Sequence, residues 1–107
     1  MNTIMTNEET ETSEDILETI RKVRAERIEQ LLEVITDLNP EAIVLDGLDD
    51  SIEGYDKDGR IIYSVHNIIE TLMERDGMTH EEAIEFYDFN IEGSYLGEYT
   101  PIFLYHE

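Results

Sequence analysis

Cysteine is absent from the 107 residues. Its absence excludes disulfides, thiolate catalysis and cysteine-held zinc or iron–sulfur centres. Basic residues are scarce: 7 Lys and Arg stand against 27 Asp and Glu, a formal net charge of −20. A surface this acidic does not bind nucleic acid or an anionic membrane by ordinary electrostatics, because both need a basic face. Apolar runs are only a few residues long, so no membrane span is expected. Residues 1–12 lack the basic region and apolar core of a signal peptide, and the expected location is the cytoplasm. Catalytic signatures are missing as well. Gly47, Gly54 and Gly59 lie among aspartates that would repel a phosphate. There is no Gly-x-Ser-x-Gly elbow. None of His66, His80 and His106 belongs to an HxxxH or HExxH pair.

What is present describes one folded domain. The apolar fraction is 40% and tyrosine is frequent, unlike a disordered acidic polymer. Residues 1–12, rich in Thr, Asn and Glu, read as a disordered lead-in. Residues 13–38 carry the strongest helical signal, with Ser13 as cap and Glu14 and Asp15 in the first turn. Leu17, Ile20, Ile28, Leu31, Ile35 and Leu38 recur at helical spacing, with Ile16 and Val23 beside them. Asn39-Pro40 ends the helix, which would be about 39 Å long. A short buried strand is expected at residues 42–45, and then a turn at Asp46-Gly47. Asp56-Lys57-Asp58-Gly59 predicts a tight turn joining strands at residues 51–55 and 60–64. A helix is predicted over residues 66–75, closed by Gly77. Thr79-His80-Glu81-Glu82 forms a capping box that opens another, running to about Asn90. Pro101 opens a terminal edge strand at residues 101–105. The fold class is therefore α+β: a long N-terminal helix, a small, mostly antiparallel sheet with a β-hairpin, and two shorter helices.

From about Asn39 to Leu104 the chain resembles a family of small acidic proteins common in phage and prophage genomes. The matching residues are Asn39-Pro40-Glu41-Ala42, Asp46-Gly47-Leu48-Asp49 and Leu72-Met73-Glu74-Arg75-Asp76-Gly77-Met78. They continue with Glu81-Glu82-Ala83, Phe89-Asn90, Gly93, Tyr95, Gly97-Glu98 and Thr100-Pro101-Ile102-Phe103. The resemblance implies an origin, and with it the host cytoplasm as location, but no mechanism. The family is longer between Gly54 and Tyr63, and the helix before Asn39 is an addition to its pattern.

The candidate sites follow from charge. Asp46, Asp49, Asp50, Glu53, Asp56 and Asp58 crowd one loop and hairpin, where oxygen ligands could gather a cation. An EF-hand register from Asp49 puts Gly54 at the sixth position but Arg60 at the twelfth, so a solvated turn is the stronger reading. No metal or cofactor is expected, and no catalytic residue is assigned. Glu81, Glu85, Asp88 and Glu92 step along one face of the predicted third helix; with Tyr95 and Glu98 they form the candidate partner-binding set. Tyr87, Tyr95 and Tyr99 are either anchors of that contact or core.

Twenty charges correspond to about 34 Å of duplex, and a compact chain this long is about 35 Å across. Total charge thus permits mimicry of one turn of DNA. Residues 39–107 hold 17 acids and 3 bases, whereas residues 13–38 hold 7 acids and 4 bases. Arg21, Lys22, Arg24 and Arg27 either pair with Glu18, Glu26 and Glu29 of their own helix or meet the acids of a second copy. Leu17, Ile20, Ile28, Leu31 and Ile35 either pack on the sheet or form a dimer seam. The leading functional reading is an acidic protein-binding module, a phage-derived inhibitor or modulator of a basic host protein such as a nucleic-acid enzyme. The alternatives are an assembly accessory and a metal-binding or hydrolytic protein using the loop carboxylates.

Overall fold

The computed structural model describes residues 13–106. The expected lead-in at residues 1–12 lies outside the described residues. Helix α1 spans Ser13–Leu38, and Ser13 itself is helical. A 3₁₀ turn at Asp49–Ser51 leads into β1, Ile52–Tyr55. Strand β2, Ile61–Ser64, passes directly into α2, Val65–Asp76. Helix α3, His80–Phe86, continues into a π-helical segment, Tyr87–Glu92. Strand β3, Ile102–Leu104, comes last.

The sheet order is β1-β2-β3. β1 and β2 form the antiparallel hairpin, with Gly59 at φ 80° in its turn. β3 pairs parallel with β2, Ile62 opposite Ile102 and Ser64 opposite Leu104. The sheet is thus mixed rather than mostly antiparallel. The reason is the connection: α2 and α3 carry the chain back across the sheet, so β3 re-enters running the same way as β2.

The strand expected at residues 42–45 is an extended segment outside the ladder. Its Leu45 N–H donates to the Tyr63 hydroxyl at 2.7 Å, so a side chain rather than a strand satisfies it. The turns lie where the sequence puts them. Gly47 and Gly77 have φ 78° and 71°. Ser64 Oγ accepts from the Asn67 N–H, and Thr79 and Glu82 complete the capping box.

The core lies between the lower half of α1, the sheet and α2. Ile35, Ile61, Tyr63 and Ile68 are fully buried. Phe103 stacks on Tyr63 and meets Tyr87 edge-on, with ring centroids 6.3 and 5.6 Å apart. Asn39 fixes the end of α1 to the hairpin. Its Nδ2 donates to the Asp58 carbonyl at 3.2 Å, and its Oδ1 accepts from the Glu41 N–H at 3.0 Å. A Cβ on Gly59 would stand 2.4 Å from the Asn39 Cβ, so only glycine fits there.

Every residue of α1 from 13 to 27 is exposed, and burial starts at Ile28. The molecule measures 61 × 36 × 24 Å, with a radius of gyration of 17.6 Å. A compact chain of this length would have about 13 Å. The projecting arm accounts for the excess, and the 35 Å globe assumed in the duplex comparison does not describe this shape.

Candidate functional site

Helix α3 and its π-helical continuation form a ridge between two concavities. Ala83 and Tyr87 anchor the ridge in the core. Beyond Tyr87 the backbone under-winds to i→i+5 hydrogen bonds, and the Gly93 N–H donates to the Asp88 carbonyl at 3.1 Å. A Cβ on Gly93 would sit 2.9 Å from that carbonyl oxygen, so glycine permits this ending.

One flank is a groove of about 480 Å³ lined by Asp76, Met78, Glu82, Glu85, Phe86, Phe89 and Asn90. Phe89 is 78% exposed, with Phe86 half as open beside it. Arg75 forks onto Asp76, with Nε and Nη2 donating at 3.0 and 3.1 Å. Those hydrogen bonds hold the Asp76 carboxyl below the ordinary carboxylate range. The remaining Arg75 nitrogen, Nη1, donates to the Gly47 carbonyl at 2.7 Å. The groove therefore offers exposed aromatic rings within a rim of carboxylates.

The other flank is a cleft of about 300 Å³ that gathers all three histidines, His66, His80 and His106, with Tyr87, Asp88 and Tyr105. The Tyr87 and Tyr105 hydroxyls are 2.9 Å apart, and Tyr105 donates to Glu92 Oε2 at 2.8 Å. Since Tyr105 spends its proton on Glu92, Tyr87 donates to Tyr105. Burial and that donated bond raise the Tyr87 hydroxyl well above its ordinary range. The bond from Tyr87 lowers the Tyr105 hydroxyl, but burial and the Glu92 carboxylate outweigh it, and the net shift is upward. His66 approaches Glu70 at 3.4 Å and His106 approaches Glu53 at 3.2 Å. Among the described residues, no group of three or more His, Asp or Glu side chains is placed to hold a metal ion.

All six residues of the expected partner-binding set are exposed, but they do not form one row. Glu85 leans to the aromatic groove and Asp88 to the histidine cleft. Glu92 is turned toward Tyr105 by the π-helical winding. Tyr95, 81% exposed, and Glu98 stand on the loop beyond. Of the other tyrosines, Tyr87 is core and Tyr99 is half-buried. The hairpin acids are partly engaged: Asp56 Oδ1 accepts from the backbone N–H groups of Asp58 and Arg60, both at 2.9 Å.

The expected dimer seam is divided. Ile28 and Ile35 are buried in the chain's own core and Leu31 packs against it, while Leu17 and Ile20 are 47% and 45% exposed. Among the described residues, none of Arg21, Lys22, Arg24 and Arg27 forms an ion pair within the α1 helix.

Sequence reasoning missed the aromatic groove and the meeting of the histidines. Phe86 and Phe89 carried a signal, since they lie off the buried Ala83–Tyr87 face. The histidines carried none, because His106 reaches His66 only through the parallel placement of β3. No family model, curated protein or solved structure matches the chain. Among the described residues, no helix is long and apolar enough to cross a membrane.

Proposed function

We propose that this chain is an acidic protein-binding module that works by docking rather than catalysis. Its partner is a basic protein, and the groove holding Phe86 and Phe89 is the centre of the contact. The carrying observation is Phe89, largely exposed inside a rim formed by Asp76, Glu82 and Glu85. Exposed aromatics concentrate binding energy, and a carboxylate rim selects cationic neighbours and speeds their encounter. Residues 28–107 hold 20 acids against 3 bases, a net of −17 that extends this field over the whole body. Glu81, Asp88, Glu92, Tyr95 and Glu98 belong to the outer contact. On the resemblance over residues 39–104, the module is read as phage-encoded and its partner as a host protein. The sharper form of the reading is occlusion of a nucleic-acid enzyme's basic channel. The second reading, an assembly accessory, draws on the projecting arm of α1.

The test is capture from host lysate at low and high salt with three versions of the chain. These are the unaltered chain, Phe89→Ala, and Glu81, Glu85, Asp88 and Glu92 all changed to Gln. A basic protein held by the unaltered chain should be lost with Phe89→Ala. The Gln variant should bind it more slowly and with a shallower salt dependence. Duplex DNA should displace a mimicked enzyme. Equal retention by all three versions would remove the ridge from the contact and overturn the reading.

A further inference from the structure

Residues 13–27 form an arm about 22 Å long from the helical rise. All of them are exposed, and Arg24 and Arg27 at the arm's base border a cleft shared with Asp50, Glu53, Glu70 and Glu74 of the body, yet the arm is not a plain solvated helix. Ile16, Leu17, Ile20 and Val23 are between 45% and 59% exposed along it. A lone helix of this length is marginal in water, where helices gain most of their stability by burying an apolar face. The arm is also electrically two-ended. Glu14, Asp15 and Glu18 occupy its first half, a net of −3, and Arg21, Lys22, Arg24 and Arg27 outweigh Glu26 in its second, a net of +3.

We propose that the arm is a self-association surface that pairs antiparallel with the arm of a second copy, about a two-fold axis between Leu17 and Ile20. In this register Leu17 of one copy meets Ile20 of the other, and both stripes are covered. The acidic first half of each arm lies along the basic second half of its mate. A parallel pair would set like charge against like. Antiparallel pairing also sends the two bodies, each of net −17, to opposite ends. They are then separated by about the arm's length, well beyond the roughly 8 Å screening length at physiological salt. The patch is self-complementary, as a two-fold interface requires. With so short a helix pair, dissociation belongs in the micromolar range or weaker, so the dimer forms and separates with concentration.

Analytical ultracentrifugation and circular dichroism of the full chain over a concentration series test this. The unaltered chain should pass from monomer to dimer as concentration rises, with helical signal increasing alongside. Leu17→Asp with Ile20→Asp should remain monomeric, with the body's unfolding transition unchanged. Glu14→Lys with Glu18→Lys, which makes both halves of the arm net positive, should weaken the dimer at least about tenfold. Adding Arg21→Glu and Lys22→Glu to that variant reverses both ends and should restore pairing. A chain that stays monomeric through about 1 mM, or a dimer that survives Leu17→Asp with Ile20→Asp, would overturn the proposal. Failure of the four-residue reversal to restore what the two-residue change removes would overturn the antiparallel register.

Discussion

The two halves of α1 share one helix and one apolar spacing, but their surroundings differ. In residues 28–38, Ile28 and Ile35 are buried and Leu31 and Leu32 pack against the core. In residues 13–27, the equivalent side chains Leu17 and Ile20 are exposed. The lower half is held by the sheet and by Asn39, which ties its end to the hairpin turn. The upper half has four acids, four bases and no net charge, while everything after it is strongly acidic. Apolar periodicity therefore reports that a face seeks cover. It does not report whether the cover is the same chain.

The sharpest way to break this comparison is to truncate one isoleucine and one leucine. Ile35→Ala removes a fully buried side chain and should cost about 2–5 kcal/mol. Leu17→Ala in dilute solution should stay within about 0.5 kcal/mol. Urea unfolding measures both, and equal costs would mean that the arm packs on the body.

A second contrast is alkaline. Burial pushes the Tyr63 hydroxyl up to about 12, against the lowering by the Leu45 N–H, with Asp49 adding a smaller rise. An unfolded tyrosine titrates near 10, so the folded state holds this proton more tightly. The contribution is whole below about pH 10 and is lost as pH rises towards 12, a fall on the order of 3 kcal/mol. Tyr87 acts in the same direction. The arm carries no tyrosine, so arm variants should keep the full alkaline slope. Tyr63→Phe should flatten it and lower stability at neutral pH by about 1–3 kcal/mol, because it leaves the Leu45 N–H unpaired. An unchanged slope in that variant would remove Tyr63 as its source.

The smallest effect sharpens the picture of the body's interior. The Ser51 hydroxyl is fully buried and finds no partner among the described residues. Ser51→Ala should be neutral or stabilising by up to about 1 kcal/mol. A loss above that in thermal unfolding would reveal a hydrogen bond at this hydroxyl.

Much of the fold was legible because its signals are local. A helix of heptad-like spacing, an Asp-Gly turn, a capping box and a C-terminal glycine each act over a few residues, and each lies where expected. The misses have non-local causes. Residues 42–45 read as a strand, but their position depends on the Tyr63 hydroxyl, eighteen residues away. β3 reads as an edge strand, but its direction depends on two intervening helices. The acidic ridge was legible as α-helical steps. Its end was not, because the i→i+5 winding after Tyr87 depends on close approach at Gly93. The histidine cleft is the product of that same long-range topology.

The parallel seating of β3 also sets an order of assembly. The hairpin closes over a handful of residues, whereas the Arg60 Nε bond to the Thr100 carbonyl spans 40 residues of chain. Loop closure of that length must precede any reward from the contact, and non-local pairing is correspondingly slow. β3 is then expected to be the last strand to arrive and the first to leave. Its departure would open the β2 edge and release both Tyr105 and His106 from their carboxylates. Amide exchange should therefore be faster in residues 102–104 than in β2. The histidine cleft closes only when the final strand has docked.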